Sequence, residues 1–167
     1  MLKTITGALL LIIALSVAAE TPTLPAVYVT HDDIQSFLKA LPSNAVSDKT
    51  IRSVDVGGYR VSVWGVKRPK GLPQDANQHL TKVSEIYYIL EGSATLVTGG
   101  TMPNAKPMAP GSTNLQSPKI EGGESRHVTK GDVVIIPGRT PHWWSSQDGD
   151  LQYLIFRPDP ESKIALK

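Results

Sequence analysis

Two rhythms of apolar and polar residues divide the chain. Ile34, Phe37, Leu38 and Leu41 recur at offsets of three and four, which predicts a short amphipathic helix with one packed face. Thr30 stands where a helix cap belongs, Asp32 and Asp33 lie where the positive end of the dipole favours acids, and Pro42 ends the run. His31 in the first turn reads as a solvated residue. From Ile51 onward the period changes to two. Tyr59, Val61 and Val63 alternate with Arg60, Ser62 and Trp64, and further strand-like runs are Val83 to Leu90, Ala94 to Val97, Val133 to Ile136 and Leu151 to Phe156. Gly57-Gly58, Glu91-Gly92, Gly131-Asp132 and Asp148-Gly149 supply tight turns between them. Short strands punctuated in this way predict an all-β sandwich or barrel.

Residues 99–124 break the rhythm. Pro103, Pro107, Pro110 and Pro118 stand among several glycines with few large apolar residues, so the segment reads as a long inserted loop, either a lid or a solvated insertion.

The start of the chain has a different character. Met1 to Ala19 carries one charge, Lys3, then an apolar run from Ile5 to Val17, then small residues, with Val17 and Ala19 placed before a cleavage point. This is the order of a secretory signal peptide, and the run is shorter than the roughly 20 residues a spanning helix needs. The expectation is an exported protein, periplasmic or secreted, with no stable membrane insertion after cleavage. The reading divides the chain into a signal peptide at 1–19, an extension with the short helix at 20–50, a main domain at 51–158 and a tail at 159–167.

Composition adds limits. In 167 residues, 40% are hydrophobic and 19% charged, which supports one packed core and excludes a disordered tail protein. Seventeen Lys+Arg against 15 Asp+Glu leave a net charge of +2 without a basic run, so nucleic acid is not an expected partner. The chain has no cysteine, so stability rests on packing even in an oxidising compartment.

The candidate chemistry is a metal centre. If Gln78 to Leu90 is one strand, the even separation of His79 and Glu85 puts both side chains on one face. Pro137 and Pro141 fix the connection that presents His142. Two imidazoles and a carboxylate suit a divalent transition metal with open coordination positions.

These residues resemble the two motifs of the cupin superfamily. His79, Glu85 and Gly92 match the first motif, while Gly131-Asp132, Pro137 and Pro141-His142 match the second. The resemblance covers roughly Arg52 to Pro158 and implies a double-stranded β-helix, the cupin jelly-roll barrel, preceded here by the short N-terminal helix. It departs from the family pattern at Thr81, which takes the place of a second histidine, at Arg139, which replaces a glycine, and at Ser146, which stands where asparagine often closes the motif. What carries over is His79, Glu85 and His142, holding one divalent ion of iron, manganese, nickel or zinc.

Pocket candidates follow from strand parity and position. Tyr87 shares parity with Glu85, and Trp144 rather than Trp143 falls on the His142 side. Arg60 either meets an anionic substrate or is solvated, and Arg139 either reaches a carboxylate at the cavity mouth or faces solvent. Thr81 can at most hydrogen-bond a metal-bound water. His127, on a strand from Ser125 to Thr129, either completes the ligand set or lies on the surface. The resulting expectation is a metal-dependent enzyme acting on a small oxygen-rich organic molecule by oxygenase, isomerase or lyase chemistry. The alternative is a non-catalytic metal or small-molecule binding module of the cell envelope. A homodimer is a further expectation, drawn from the tendency of cupins to pair.

Overall fold

The computed structural model describes residues 23–167. The signal-peptide reading of residues 1–19 lies outside them.

Thr30 caps helix α1 (His31–Ala40) with a full capping box: its hydroxyl accepts from the Asp33 amide at 3.1 Å, and the Asp33 carboxylate accepts from the Thr30 amide at 2.9 Å. Leu38 is the buried anchor of this helix. Phe37 and Leu38 press on Gly65, where an added Cβ would stand 2.9 Å from the Phe37 ring, so the missing side chain is what admits the helix to the sheet.

Eleven strands follow: β1 (Ser47–Asp55), β2 (Arg60–Arg68), β3 (Ala76–His79), β4 (Glu85–Glu91), β5 (Ser93–Thr98), β6 (Lys106–Pro107), β7 (Asn114–Ser117), β8 (Glu124–Thr129), β9 (Val133–Ile136), β10 (His142–Gln147) and β11 (Leu151–Asp159). They form two antiparallel sheets, ordered β1-β2-β11-β4-β9 and β6-β7-β3-β10-β5-β8. The all-β expectation and the short helix hold. Asp55 closes the β1–β2 hairpin by accepting from the amides of Gly57 and Gly58, whose positive φ angles only glycine adopts freely.

The chain does not run as one strand from Gln78 to Leu90. It leaves the second sheet after His79 and enters the first at Glu85. Residues 80–84 make that crossing under external hydrogen bonds: Leu80 donates to Thr113, Lys82 to the Glu161 carboxylate and Ser84 to Pro158. Even spacing therefore does not align His79 with Glu85. They face each other because they come from opposite sheets.

Residues 99–124 are also more ordered than their prolines suggest. The segment bridges Thr101 to Glu121 and contributes β6 and β7, which extend the second sheet beyond β3. A small satellite core of Ala76, Val97 and Ile120, with Met102 and Trp143 against it, anchors it.

The main core fills one end of the sandwich, and polarity rises toward the other. Along β4 the inward residues run Ile89, Tyr87, Glu85, and along β11 they run Leu151, Tyr153, Ile155, Arg157. Both series pass from fully apolar side chains to a buried charge. The polar end is where the candidate site lies.

Candidate metal centre

The second sheet supplies the two imidazoles. His142 pairs across the ladder with Asn77, and His79, two residues further along β3, pairs with Asn114 of β7. The ring centroids of His79 and His142 lie 5.4 Å apart. The first sheet supplies Glu85, which is 1% exposed. His79 Nε2 stands 3.3 Å from Glu85 Oε1, and His142 Nε2 stands 3.3 Å from Oε2.

Partners on the far side of each ring set which nitrogen faces the carboxylate. The Thr140 carbonyl can only accept, so His142 Nδ1, at 3.0 Å, carries the hydrogen. The Asn114 side-chain oxygen plays the same part for His79 Nδ1 at 2.8 Å. Both Nε2 atoms then direct lone pairs toward a carboxylate. That arrangement is repulsive unless a cation sits among the three groups, and a proton on Nε2 or a metal ion would serve.

Glu85 is itself clamped. Arg157 donates to Oε1 through Nε at 2.6 Å, its Nη2 lies 2.6 Å from the same oxygen, and the Tyr87 hydroxyl donates to Oε2 at 2.9 Å. The guanidinium stacks 4.1 Å from the Trp64 ring and also donates from Nη2 to Asp48 at 3.1 Å. Burial pushes the Glu85 carboxyl up, but Arg157 and the imidazoles outweigh it and hold the group well below the usual carboxylate range. Burial lowers His79, but the hydrogen bond and charge of Glu85 lift it above its ordinary value. Burial keeps His142 below its own. Burial and the Glu85 charge raise the Tyr87 phenol well above its usual value, so it remains a donor.

Ligand atoms of His79, Glu85 and His142 lie within 4.8 Å of one another, and these residues could hold a metal ion. The donor set fits: two neutral nitrogens and a carboxylate, each oriented by a hydrogen bond from behind. Both histidines open on a cavity of about 390 Å³, whereas a second cavity of about 440 Å³, walled partly by residues 163–167, touches His79 alone.

The remaining sequence candidates fall in different places. Tyr87 lines the cavity as expected. Trp144 points inward but packs in the main core, stacked 5.9 Å from the Tyr87 ring and donating to the Tyr153 hydroxyl, so it supports the floor of the site without lining it. Thr81 lines the second cavity beside His79. Arg60 is turned away and ties down the tail by donating to the carbonyls of Ser162 and Ile164. Arg139 is exposed, with positive φ, and donates to the Leu80 carbonyl. His127 is exposed on β8, its Nε2 3.4 Å from Asp148, outside the ligand set.

Sequence reasoning misses Arg157, Asn114, Asp48 and Arg68. Arg157 carried a signal: it continues the inward parity of Leu151, Tyr153 and Ile155, one residue past the end of the apolar run. Asn114 carried none, since it lies inside the proline- and glycine-rich segment.

No family model matches the sequence, and no curated protein does. Solved structures do resemble the fold. One, a Bacillus halodurans protein, is 14% identical over 82% of this chain and 84% of its own, with a TM-score of 0.51. Another, an uncharacterized conserved protein with a double-stranded β-helix domain from Klebsiella pneumoniae, is 13% identical over 86% and 97%, at 0.52. A DMSP lyase from Ruegeria pomeroyi is 16% identical over 86% and 79%, at 0.46. The first two of these likenesses show the fold, a double-stranded β-helix. At these identities the likeness is one of fold, and the chemistry has to be argued from the site.

Proposed function

We propose that this protein is an exported, metal-dependent enzyme that acts on a small, oxygen-rich organic molecule. The observation that carries the proposal is the pair of Nε2 atoms from His79 and His142, each 3.3 Å from a different oxygen of Glu85, at the wall of a cavity lined by both polar and apolar side chains. His79, Glu85 and His142 would hold a single divalent ion. Such an ion would supply Lewis acidity or, if redox-active, electron transfer to a bound oxygen species. The chain's own residues do the rest. Asn114 and Thr140 hold the imidazoles in one tautomer, Arg157 and Tyr87 fix the carboxylate, and the Trp144–Tyr153 layer closes the floor to water. Export rests on the order of residues in Met1 to Ala19 and is tested by the mass of protein recovered outside the cytoplasm.

A binding module without turnover is the second reading, and one feature favours it. Arg157 already neutralises Glu85, so a proton on His79 can satisfy the site without a metal. Turnover separates an enzyme from a metal-binding module once the site is loaded, and loading is shown by elemental mass spectrometry on protein purified without chelator, beside His79→Ala and His142→Ala, as stoichiometric metal lost in both variants. Its absence after reloading with iron, manganese, nickel and zinc leaves the binding module.

A further inference from the structure

The turn that leads into His142 runs against the ordinary preference of its residues. Pro137 to Thr140 form a β-turn closed by the Thr140 amide, which donates to the Pro137 carbonyl at 3.1 Å. Its third residue, Arg139, has a φ of 68°, while Gly138 before it has no positive φ. That is the sign pattern of a type II turn, whose third position favours glycine or asparagine. An arginine there bears the steric strain of the left-handed region. The glycine stands one position earlier, where the Lys82 backbone leaves no room for a Cβ.

The strained residue also makes two ties across the site. Arg139 Nε donates to the Leu80 carbonyl at 3.2 Å, and the Arg139 carbonyl accepts from Gln78 Nε2 at 2.8 Å. Gln78 and Leu80 are the chain neighbours of His79 on either side. On the other flank Thr140 follows directly, and its carbonyl accepts from His142 Nδ1 at 3.0 Å. One residue therefore links the backbone that bears His79 to the backbone that orients His142. The ladder between β3 and β10 offers little besides, since among the described residues it amounts to the single pair of His142 with Asn77.

We propose that Arg139 is a positioning residue that sets the spacing of the two imidazoles, whose ring centroids lie 5.4 Å apart. Its effect on a metal ion rests on the metal-centre reading above, but the spacing itself does not. Strain of this kind persists where the surroundings over-determine the conformation, and the ties to Gln78 and Leu80 do so here. A residue that served only the fold would move stability and spacing together. Glycine or asparagine at this position removes the guanidinium and relieves the strain at once, which separates the two.

The test uses the full chain with Arg139→Gly and Arg139→Asn. In metal-free protein the nuclear Overhauser effect between the His79 and His142 ring protons should weaken in both variants, while the urea midpoint holds or rises. Zinc affinity, measured by competition with a chromophoric chelator, should fall by about three- to tenfold, less than the loss of a group bonded directly to a ligand causes. Arg139→Lys keeps a donor and the strain, so it should retain part of the affinity with no gain in stability. Unchanged ring contact and zinc affinity in both Arg139→Gly and Arg139→Asn overturn the proposal, as does an affinity loss that merely follows a fall in the urea midpoint. A weakened ring contact in protein that takes up no zinc supports the positioning role while refuting the metal centre. Zinc uptake with ring contact and affinity unchanged does the reverse.

Discussion

Arg157 and Glu85 form a buried ion pair between neighbouring strands, one step beyond the Phe156–Ile86 ladder pair, with Nε 2.6 Å from Oε1. The pair places a fixed positive charge directly behind a candidate metal ligand. It holds the carboxylate ionised and rigid before any cation arrives, and it lowers the net negative charge that a cation meets.

Arg157→Gln leaves Glu85 buried beside two imidazoles without its counter-charge. Removing one partner of such a pair costs about 3–5 kcal/mol. The metal-free variant should lose stability on that scale in urea unfolding, and saturating zinc should restore much of it because the ion replaces the missing charge. Equal losses with and without zinc would show that the two cations do not share Glu85.

Asn114→Ala removes the acceptor behind His79 Nδ1 and frees the ring to rotate or change tautomer. Loss of such a partner weakens metal binding by roughly 10- to 100-fold. Competition with a chromophoric chelator measures it. Asn114 lies on an edge hairpin away from the main core, so the unfolding midpoint of the metal-free protein should move little.

Gly138→Ala tests the crossing between the sheets. Its Cβ would lie 2.8 Å from the backbone carbon and oxygen of Lys82, and backbone yields less readily than a side chain. The expected cost is about 1–3 kcal/mol. Because residues 80–84 join His79 to Glu85, metal affinity should fall along with stability.

The pH profile of the metal-free protein follows from three shifted groups. Glu85 is depressed, so its contribution is present above the ordinary carboxylate value of 4.5 and lost as pH falls through the folded value. His142 is also depressed, so its contribution is full above 6.5 and declines below it. His79 is raised, so its contribution is full below 6.5 and lost as pH rises through the folded value. Stability should therefore peak near 6.5 and fall on both sides. With zinc bound, no proton is needed on His79 and the alkaline decline should disappear, which urea midpoints across pH with and without zinc would reveal.

How much of this is legible in the sequence depends on where the information lies. Helix α1 can be read because its cap, acids and terminating proline are all local. The strands β2, β4, β5, β9 and β11 can be read because alternation survives in their apolar residues. The sequence Ala76-Asn77-Gln78-His79 has no such alternation, and neither do Lys106-Pro107 or Asn114-Leu115-Gln116-Ser117, whose strand character comes from the partners beside them. Motif spacing singles out the three residues that the fold brings together, although strand parity gives the wrong reason for it. The clamp on Glu85 depends on pairing between β4 and β11, which lie more than sixty positions apart, and no local pattern encodes that register.

The Asn114–His79 contact ties a candidate ligand to a hairpin that carries no ligand itself. His79 belongs to a strand at the heart of the barrel, while its orienting partner arrives on an appended hairpin at the sheet's edge. Lengthening, shortening or exchanging that hairpin would retune the ligand without touching any residue that binds.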